Sequence, residues 1–397
     1  MTVHILLMKR FFFIMAITVT LRASCRKGDG FAITADIAGL EDGNAGVTVF
    51  GNRDAFHLTS ADSSGKTIEV KDGRFSLEGT TAEPVVVRVW FKDKRFYKFA
   101  PGGGYYPSKS CAMWMIVSPG SRFSIIGNVT KDDFISVYAT GDKENKAFAE
   151  LNSRMMPLLN RSVNITVQMD CDATLTPEIK KQKEAELQAP IEAELDSLRR
   201  NFVTGHPSSI AGLWLMEDML VRSQIETEAL EEPLTRVDAK YRTGYFYKAV
   251  SSRVEGAKKS AVGNSCPHLE GTTPFGNHFE IESLRGKYVI IDFWGTWCGA
   301  CIAGMPAMKA FRDVHADKVQ IVGVAQGSPE DEWKKFVADR KLDWPNIRTG
   351  EGENDFVTSF NVQGYPTKIL IGPDGTILYR ASGESEEFYS ELDSLIN

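Results

Sequence analysis

At 397 residues the chain has room for two or three domains, each large enough to bury a core. Its 52 acidic and 46 basic residues leave a formal charge of −6, which gives no support for a nucleic-acid partner, since that would need a basic face. No stretch approaches the ~20 consecutive apolar residues of a transmembrane span.

The N-terminus reads as an export leader over residues 1–25. Lys9-Arg10 precede the apolar run Phe11 to Leu21, and the small residues Ala23-Ser24 lead into Cys25. Met8-Lys9-Arg10 is the more usual opening of such a leader, which makes Met8 a candidate start. Ala23-Ser24-Cys25 resembles the lipobox of bacterial lipoproteins, although Arg22 stands where that family prefers leucine. The resemblance implies a lipid anchor on Cys25 as the membrane contact. A plain cleaved leader is the alternative. Either way the mature chain is expected in the periplasm or cell envelope, an oxidising compartment where a dithiol stays reduced only if electrons are supplied.

From residue 29 to 140 short β-branched runs alternate with turn clusters, which predicts an antiparallel β-sandwich. The strands are expected at Ala32–Ile37, Val47–Phe50, Val85–Phe91, Met113–Val117 and Arg122–Gly127, with a hairpin over Val70–Leu77. Asp72-Gly73 predicts a hairpin turn and Pro119-Gly120 another turn. Tyr105-Tyr106 beside Gly102-Gly103-Gly104 reads as a hairpin tip rather than a ligand loop.

Residues 141–258 change texture. Glu, Lys, Ala and Leu with apolar spacings of three and four predict helices over 142–160, 177–203, 209–222 and 227–251, with Pro190 kinking or splitting the second. Lys180-Lys181-Gln182-Lys183-Glu184 reads as a solvated face. Small polar residues over 257–264 suit a linker.

From residue 262 to 397 strands and helices alternate. Strands are expected at 288–293, 319–324, 367–371 and 376–380, the last two joined through Pro373-Asp374-Gly375. Helices are expected after residue 301, over 330–340, near 354–360 and over 386–396. This is α/β with a terminal hairpin, and it carries no glycine-rich phosphate loop.

Chemistry concentrates at Trp297-Cys298-Gly299-Ala300-Cys301, where two thiols two residues apart can close into a reversible disulfide. An apolar strand runs into the pair and a helix containing Pro306 runs out of it. At such a strand-to-helix turn, free backbone N–H groups and the helix dipole favour a thiolate. Cys298 is therefore expected to be the more acidic, attacking thiol, and Cys301, one turn deeper, the resolving one. With Cys25 in the leader, Cys111, Cys171 and Cys266 remain, an odd number that leaves at least one unpaired within the chain.

Asp292 to Cys301, followed far downstream by Gly364-Tyr365-Pro366-Thr367, resembles the thioredoxin superfamily, and most of all the TlpA/ResA-type thiol–disulfide oxidoreductases of bacterial envelopes. The resemblance covers roughly residues 262–397. It implies a thioredoxin-like fold with Asp292 as the buried aspartate that moves protons through water. It also implies Pro366 as the cis-proline facing the dithiol, with the Tyr365 backbone free to pair with an extended substrate. Trp294 and Trp297 are expected beneath and beside the motif, Trp297 forming part of the substrate surface.

Three positions depart from the family pattern: Ala300 for the proline common between the cysteines, Gly304 where many relatives carry a glutamate, and Cys266 before Pro267 where alanine is usual. A zinc site from Cys266, His268, Cys298 and Cys301 is disfavoured by the spacing, so no metal or cofactor is expected beyond the Cys298–Cys301 couple. Neither cysteine of the pair is preceded by the threonine and proline of a peroxiredoxin site, and no Cys-x-x-Cys-His occurs for haem attachment.

Residues 70–79, Pro84 and Gly141 to Phe148 are further similar to a β-rich domain that precedes thioredoxin modules in Bacteroidetes-type envelope lipoproteins. The expectation is a multidomain envelope protein: N-terminal β-sandwich, helical middle segment and C-terminal α/β thioredoxin-like domain. It would reduce disulfide-bearing envelope proteins with electrons from an upstream membrane donor. A disulfide oxidase or isomerase would use the same residues, and a lipoprotein that binds and assembles partners is the alternative from another class.

Overall fold

The computed structural model describes residues 28–61, 65–92, 94–101, 103–106, 111–129, 137–350 and 355–396. The leader and Cys25 lie outside them.

The N-terminal region is β-rich. Its strands are β1 (Gly30–Ala38), β2 (Gly43–Phe50), β3 (Phe56–Leu58), β4 (Thr67–Val70), β5 (Arg74–Thr81), β6 (Val85–Phe91), β7 (Lys98–Phe99), β8 (Tyr105–Tyr106), β9 (Ala112–Val117) and β10 (Arg122–Asn128). Two four-stranded sheets form, ordered β10-β1-β5-β3 and β4-β2-β6-β9, and the short pair β7-β8 stands apart. Ile33, Ile37 and Leu77 of the first sheet share one core with Val85, Val87, Val89, Met113 and Met115 of the second. The pairing is not wholly antiparallel, because β1 runs parallel to β10. Sequence patterns report which face is buried, not which strands become neighbours, so this exception was not legible. Asp72-Gly73 makes the tight turn, both residues at positive φ, with Lys71 bridged to Arg74. The hairpin stops there, however: β4 and β5 join different sheets, so the turn is a corner between them.

The second sheet is covered on its other side by helices, which explains the unbroken apolar run of β9. Val86, Trp114 and Ile116 point into a core with Phe148, Leu151, Met155 and Trp214. These belong to α1 (Lys143–Cys171) and α3 (Ile210–Val221), which pack beside α2 (Pro177–Gly205). β9 is an edge strand, and buried Asn145 of α1 satisfies it. Its Nδ2 donates to the Ile116 carbonyl (2.7 Å) and its Oδ1 accepts from the Ile116 N–H (2.8 Å).

Helix α1 runs eleven residues beyond the expected end at 160, through Ser162-Val163-Asn164-Ile165-Thr166-Val167. Burial of Ile165 and Met169 in the helical core overrides the weak helix propensity of that stretch. Pro190 lies inside an α2 that stays a single element over 177–205. The long helix expected over 227–251 is instead α4 (Glu231–Thr235), short 3₁₀ turns and α5 (Tyr245–Lys259). Residues 263–266 are not a free linker. The Gly263 N–H donates to Ile377, the Ile377 N–H to Asn264 and the Cys266 N–H to Gly375, each at 2.8 Å.

The C-terminal region begins with the hairpin β11 (Glu270–Thr272) and β12 (His278–Glu280). It continues as β13 (Tyr288–Trp294), α6 (Gly299–Val314), β14 (Val319–Ala325), α7 (Glu330–Asp339), β15 (Asn346–Arg348), α8 (Phe356–Ser359), β16 (Thr367–Ile371), β17 (Ile377–Ser382) and α9 (Glu386–Ile396). The sheet order is β15-β14-β13-β16-β17. β13, β14 and β15 are parallel, and β16 and β17 are antiparallel to their neighbours. Alternation along β13 and β16 sorts side chains between two faces. Ile290, Trp294 and Leu370 pack with Met308, Trp333, Phe388 and Leu392 under α6, α7 and α9. Val289, Ile291, Phe293, Ile369 and Ile371 pack with Leu269, Phe279, Phe356 and Phe360 on the other side. This is the thioredoxin-like fold.

Candidate active site

Strand β13 delivers the chain to the top of the sheet at Trp294, and the turn Gly295-Thr296-Trp297 leads into α6. Two contacts from the loop after β14 fix that turn: the Thr296 N–H donates to Ser328 Oγ (3.0 Å), and Trp297 Nε1 donates to the Gln326 carbonyl (2.9 Å). Cys298 is the N-cap of α6, and its sulfur accepts from the Cys301 N–H at 3.2 Å. The first cysteine sulfur therefore sits where orphan amides and the positive end of the helix dipole converge, an environment that favours a thiolate. Cys298 and Cys301 form a disulfide with an S–S distance of 2.04 Å. Cys298 is 6% exposed and Cys301 2%, so the first sulfur is the better placed for attack by a partner thiol.

Trp297 is 54% exposed and meets Tyr365 edge to face, with ring centroids 5.1 Å apart. The Tyr365–Pro366 peptide is cis and Pro366 is buried. Tyr365 packs against both cores of the C-terminal region, and burial pushes its phenol up to about 12. Trp294 is fully buried beneath the turn. Trp297, Tyr365, Pro366 and the dithiol thus share one end of the domain.

Asp292 is two residues before Trp294 on β13, so it projects to the face covered by α6 and α9. It is buried, its Oδ1 has no hydrogen-bond partner, and desolvation pushes its pKa up to about 7 despite the nearby Lys368 ammonium. A carboxyl poised near neutrality on this face can take a proton from a buried thiol and return it.

Two neighbours escaped the sequence reading. Lys368 is the cross-strand partner of Asp292 and is buried, and it forms an ion pair with Glu384, whose other oxygen accepts from the Tyr389 hydroxyl at 3.1 Å. The sequence does hold one signal: Lys368 is a lone charge in the apolar strand Thr367-Lys368-Ile369-Leu370-Ile371.

Cys266 does not approach the dithiol. It packs on the opposite face of the sheet with Val289 and Ile371 nearby, and burial pushes its thiol up to about 12. Among the described residues, Glu270, His278 and Glu280 form the one group spaced to hold a cation. They are largely exposed on the β11–β12 hairpin, and His278 is already paired with Glu280 at 2.9 Å. No described helix is long and apolar enough to cross a membrane.

A thioredoxin-like sheet, a disulfide at the head of the helix after its central strand and a cis-proline define a thioredoxin-fold dithiol protein. A family model described as thioredoxin-like matches residues 286–377. The thiol-disulfide oxidoreductase ResA of Bacillus thuringiensis subsp. konkukian is 30% identical over 142 residues, 36% of this chain and 76% of the relative. The thioredoxin-like protein YneN of Bacillus subtilis is 30% identical over 157 residues, 38% of this chain and 89% of the relative. The solved thioredoxin domain of a thiol-disulfide oxidoreductase from Bacteroides vulgatus is 27% identical with a TM-score of 0.32, covering 34% of this chain and 99% of its own. The chain belongs to the thioredoxin-like thiol–disulfide oxidoreductases of the ResA type.

Proposed function

We propose that the protein reduces disulfides of envelope proteins, Cys298 attacking and Cys301 resolving. The observation that carries this reading is Cys298 at the head of α6, its sulfur receiving the Cys301 N–H and joined to Cys301 in a disulfide. In the reduced form the Cys298 thiolate attacks a substrate disulfide. The substrate S–S bond breaks, one substrate sulfur leaves as a thiolate, and Cys298 is held in a mixed disulfide. Asp292 takes the proton from Cys301 through water, and the Cys301 thiolate closes the Cys298–Cys301 bond and releases the second substrate sulfur. The Tyr365 backbone beside Pro366 receives the substrate in extended form, and Trp297 adds an apolar surface.

The leader over 1–25, with a lipid anchor on Cys25, is proposed to hold the protein at the envelope membrane, where a membrane donor re-reduces it. Two sheets sharing one core support a β-sandwich for residues 29–140. The helical segment 141–258 joins it to the thioredoxin-like part, 262–397.

A turnover assay tests the reading. The protein, kept reduced by a small dithiol, should accelerate cleavage of a model protein disulfide, and Cys298→Ser should lose that acceleration. No acceleration by the parent, with Cys298 still open to alkylation, would overturn it.

A further inference from the structure

Lys368 is an expensive residue to keep. Its side chain is 3% exposed, it is the one charge in its strand, and it shares its face with Phe388, whose ring centroid is 5.7 Å from the ammonium. Its register places it directly across from Asp292, where cross-strand side chains lie side by side. Glu384, in the loop between β17 and α9, reaches in from a 24% exposed position to pair with it. The space it reaches into exists because residue 304 of α6 is glycine. A Cβ there would lie 2.0 Å from Glu384 Oε2 and 2.2 Å from its Cδ, so any side chain at 304 would evict the carboxylate. Three elements thus converge on one buried cluster: Asp292 from β13, Lys368 from β16, and Glu384 seated against α6 with Tyr389 of α9 donating to it.

We propose that Lys368 and Glu384 are positioning residues that tune Asp292 as the proton acceptor for Cys301, with Gly304 conserving the seat in which Glu384 holds the Lys368 ammonium. This rests on the reading of Cys301 as the resolving thiol. The step concerned is the closing of the dithiol. The Cys301 proton passes to Asp292, the freed sulfur pair bonds to Cys298, and the bond from Cys298 to the substrate sulfur breaks. That sulfur departs as a thiolate and takes a proton from water. The charged and titratable groups acting on Asp292 are Lys368 on β16, Glu384 after β17 and Tyr389 on α9, and the core on the face it projects to also contains Cys298 and Cys301. Lys368 favours ionised Asp292, and Glu384 opposes it. Burial raises the carboxyl toward neutrality and the two opposed charges hold it there, so that it is ionised when Cys301 must lose a proton and protonated soon after.

The two charges must therefore act in opposite directions. With Lys368→Met, Asp292 faces Glu384 without the cation, and the acid limb of the resolving step should move up by about one pH unit or more. With Glu384→Gln, the Lys368 charge falls to Asp292 alone, and the limb should move down by a similar amount. Gly304→Ala, which alters no charge, should move it down as Glu384→Gln does.

The experiment is stopped-flow mixing of the reduced protein, in a Cys171→Ser background, with a limiting aromatic disulfide whose thiolate is coloured. The first release reports Cys298 attack and the second reports Cys301 closure, each followed against pH. Opposite displacement of the second limb by Lys368→Met and Glu384→Gln, with the first phase little changed, supports the proposal. A common displacement, a uniform slowing of both phases or no displacement overturns it, since a merely structural pair cannot move the limb both ways. If the parent shows no second release, the resolving role of Cys301 fails, and the proposal fails with it.

Discussion

Asp292 lies on a face built mainly from Ile290, Trp294, Met308 and Leu370, and its stability contribution has a definite sign. Its folded-state pKa is raised to about 7, whereas an unfolded aspartate releases its proton near ~4. Between those values the folded state holds more proton, so stability falls as pH rises through the window. Asp292→Asn should therefore raise the melting temperature above pH 7, by a stability gain on the order of 2 kcal/mol. The gain should vanish below about pH 4, and the same variant should slow dithiol closure; thermal melts against pH and the second stopped-flow phase check the two halves. Cys266 belongs at this scale too. Buried and with its thiol pushed up to about 12, it should be the last of Cys111, Cys171 and Cys266 to react with iodoacetamide at pH 8, and exposed Cys171 the first, read by peptide mass spectrometry. The dithiol, its strand and its aspartate were legible because they lie within one short run of sequence, residues 288–301. Lys368 and Glu384 were not, because their meeting with Asp292 depends on strand register and on space left over Gly304, neither of which is local in sequence.

Elements with a single dominant pattern were read closely, and those decided by packing were not. β13, α9 and the β16–β17 hairpin follow from a continuous apolar run, helical spacing and Pro373-Asp374-Gly375. The second half of α1, rich in β-branched and Ser/Asn residues, is helical because Ile165 and Met169 are buried in the helical core. The parallel contact of β1 with β10 closes the first sheet by a pairing that no turn announces. Between α1 and β9 the decisive group is Asn145, whose side chain completes the Ile116 backbone. Asn145→Leu should leave that buried N–H and C=O unsatisfied and cost about 2–4 kcal/mol. Denaturant titration of the N-terminal tryptophan signal should show the loss, while disulfide cleavage by the C-terminal site stays unchanged.

At the scale of the whole molecule, the thioredoxin-like part is fastened to the helical segment rather than tethered to it. Helix α5 lies against α8 so closely that a Cβ on Gly256 would stand 2.1 Å from the Thr358 carbonyl oxygen. Arg380 donates from its two terminal nitrogens to the Ser260 carbonyl (3.4 Å) and to the Phe360 carbonyl (3.0 Å), stitching β17 to the ends of both helices. Gly256→Val should loosen this seam, raising amide exchange over residues 356–362, with intact disulfide chemistry at Cys298. These contacts join segments far apart in the chain, which is why a sequence of small polar residues over 257–264 reads as a linker and is in fact part of the seam. Disulfide reduction by this protein requires Cys298 to form, and Cys301 to resolve, a bond to another protein. Replacing Cys301 with serine tests that most directly: exposed to envelope extract, the variant should accumulate mixed disulfides mapped by mass spectrometry to Cys298. Their absence with Cys298 still alkylatable, or their formation through Cys111, Cys171 or Cys266 instead, would contradict those roles of Cys298 and Cys301.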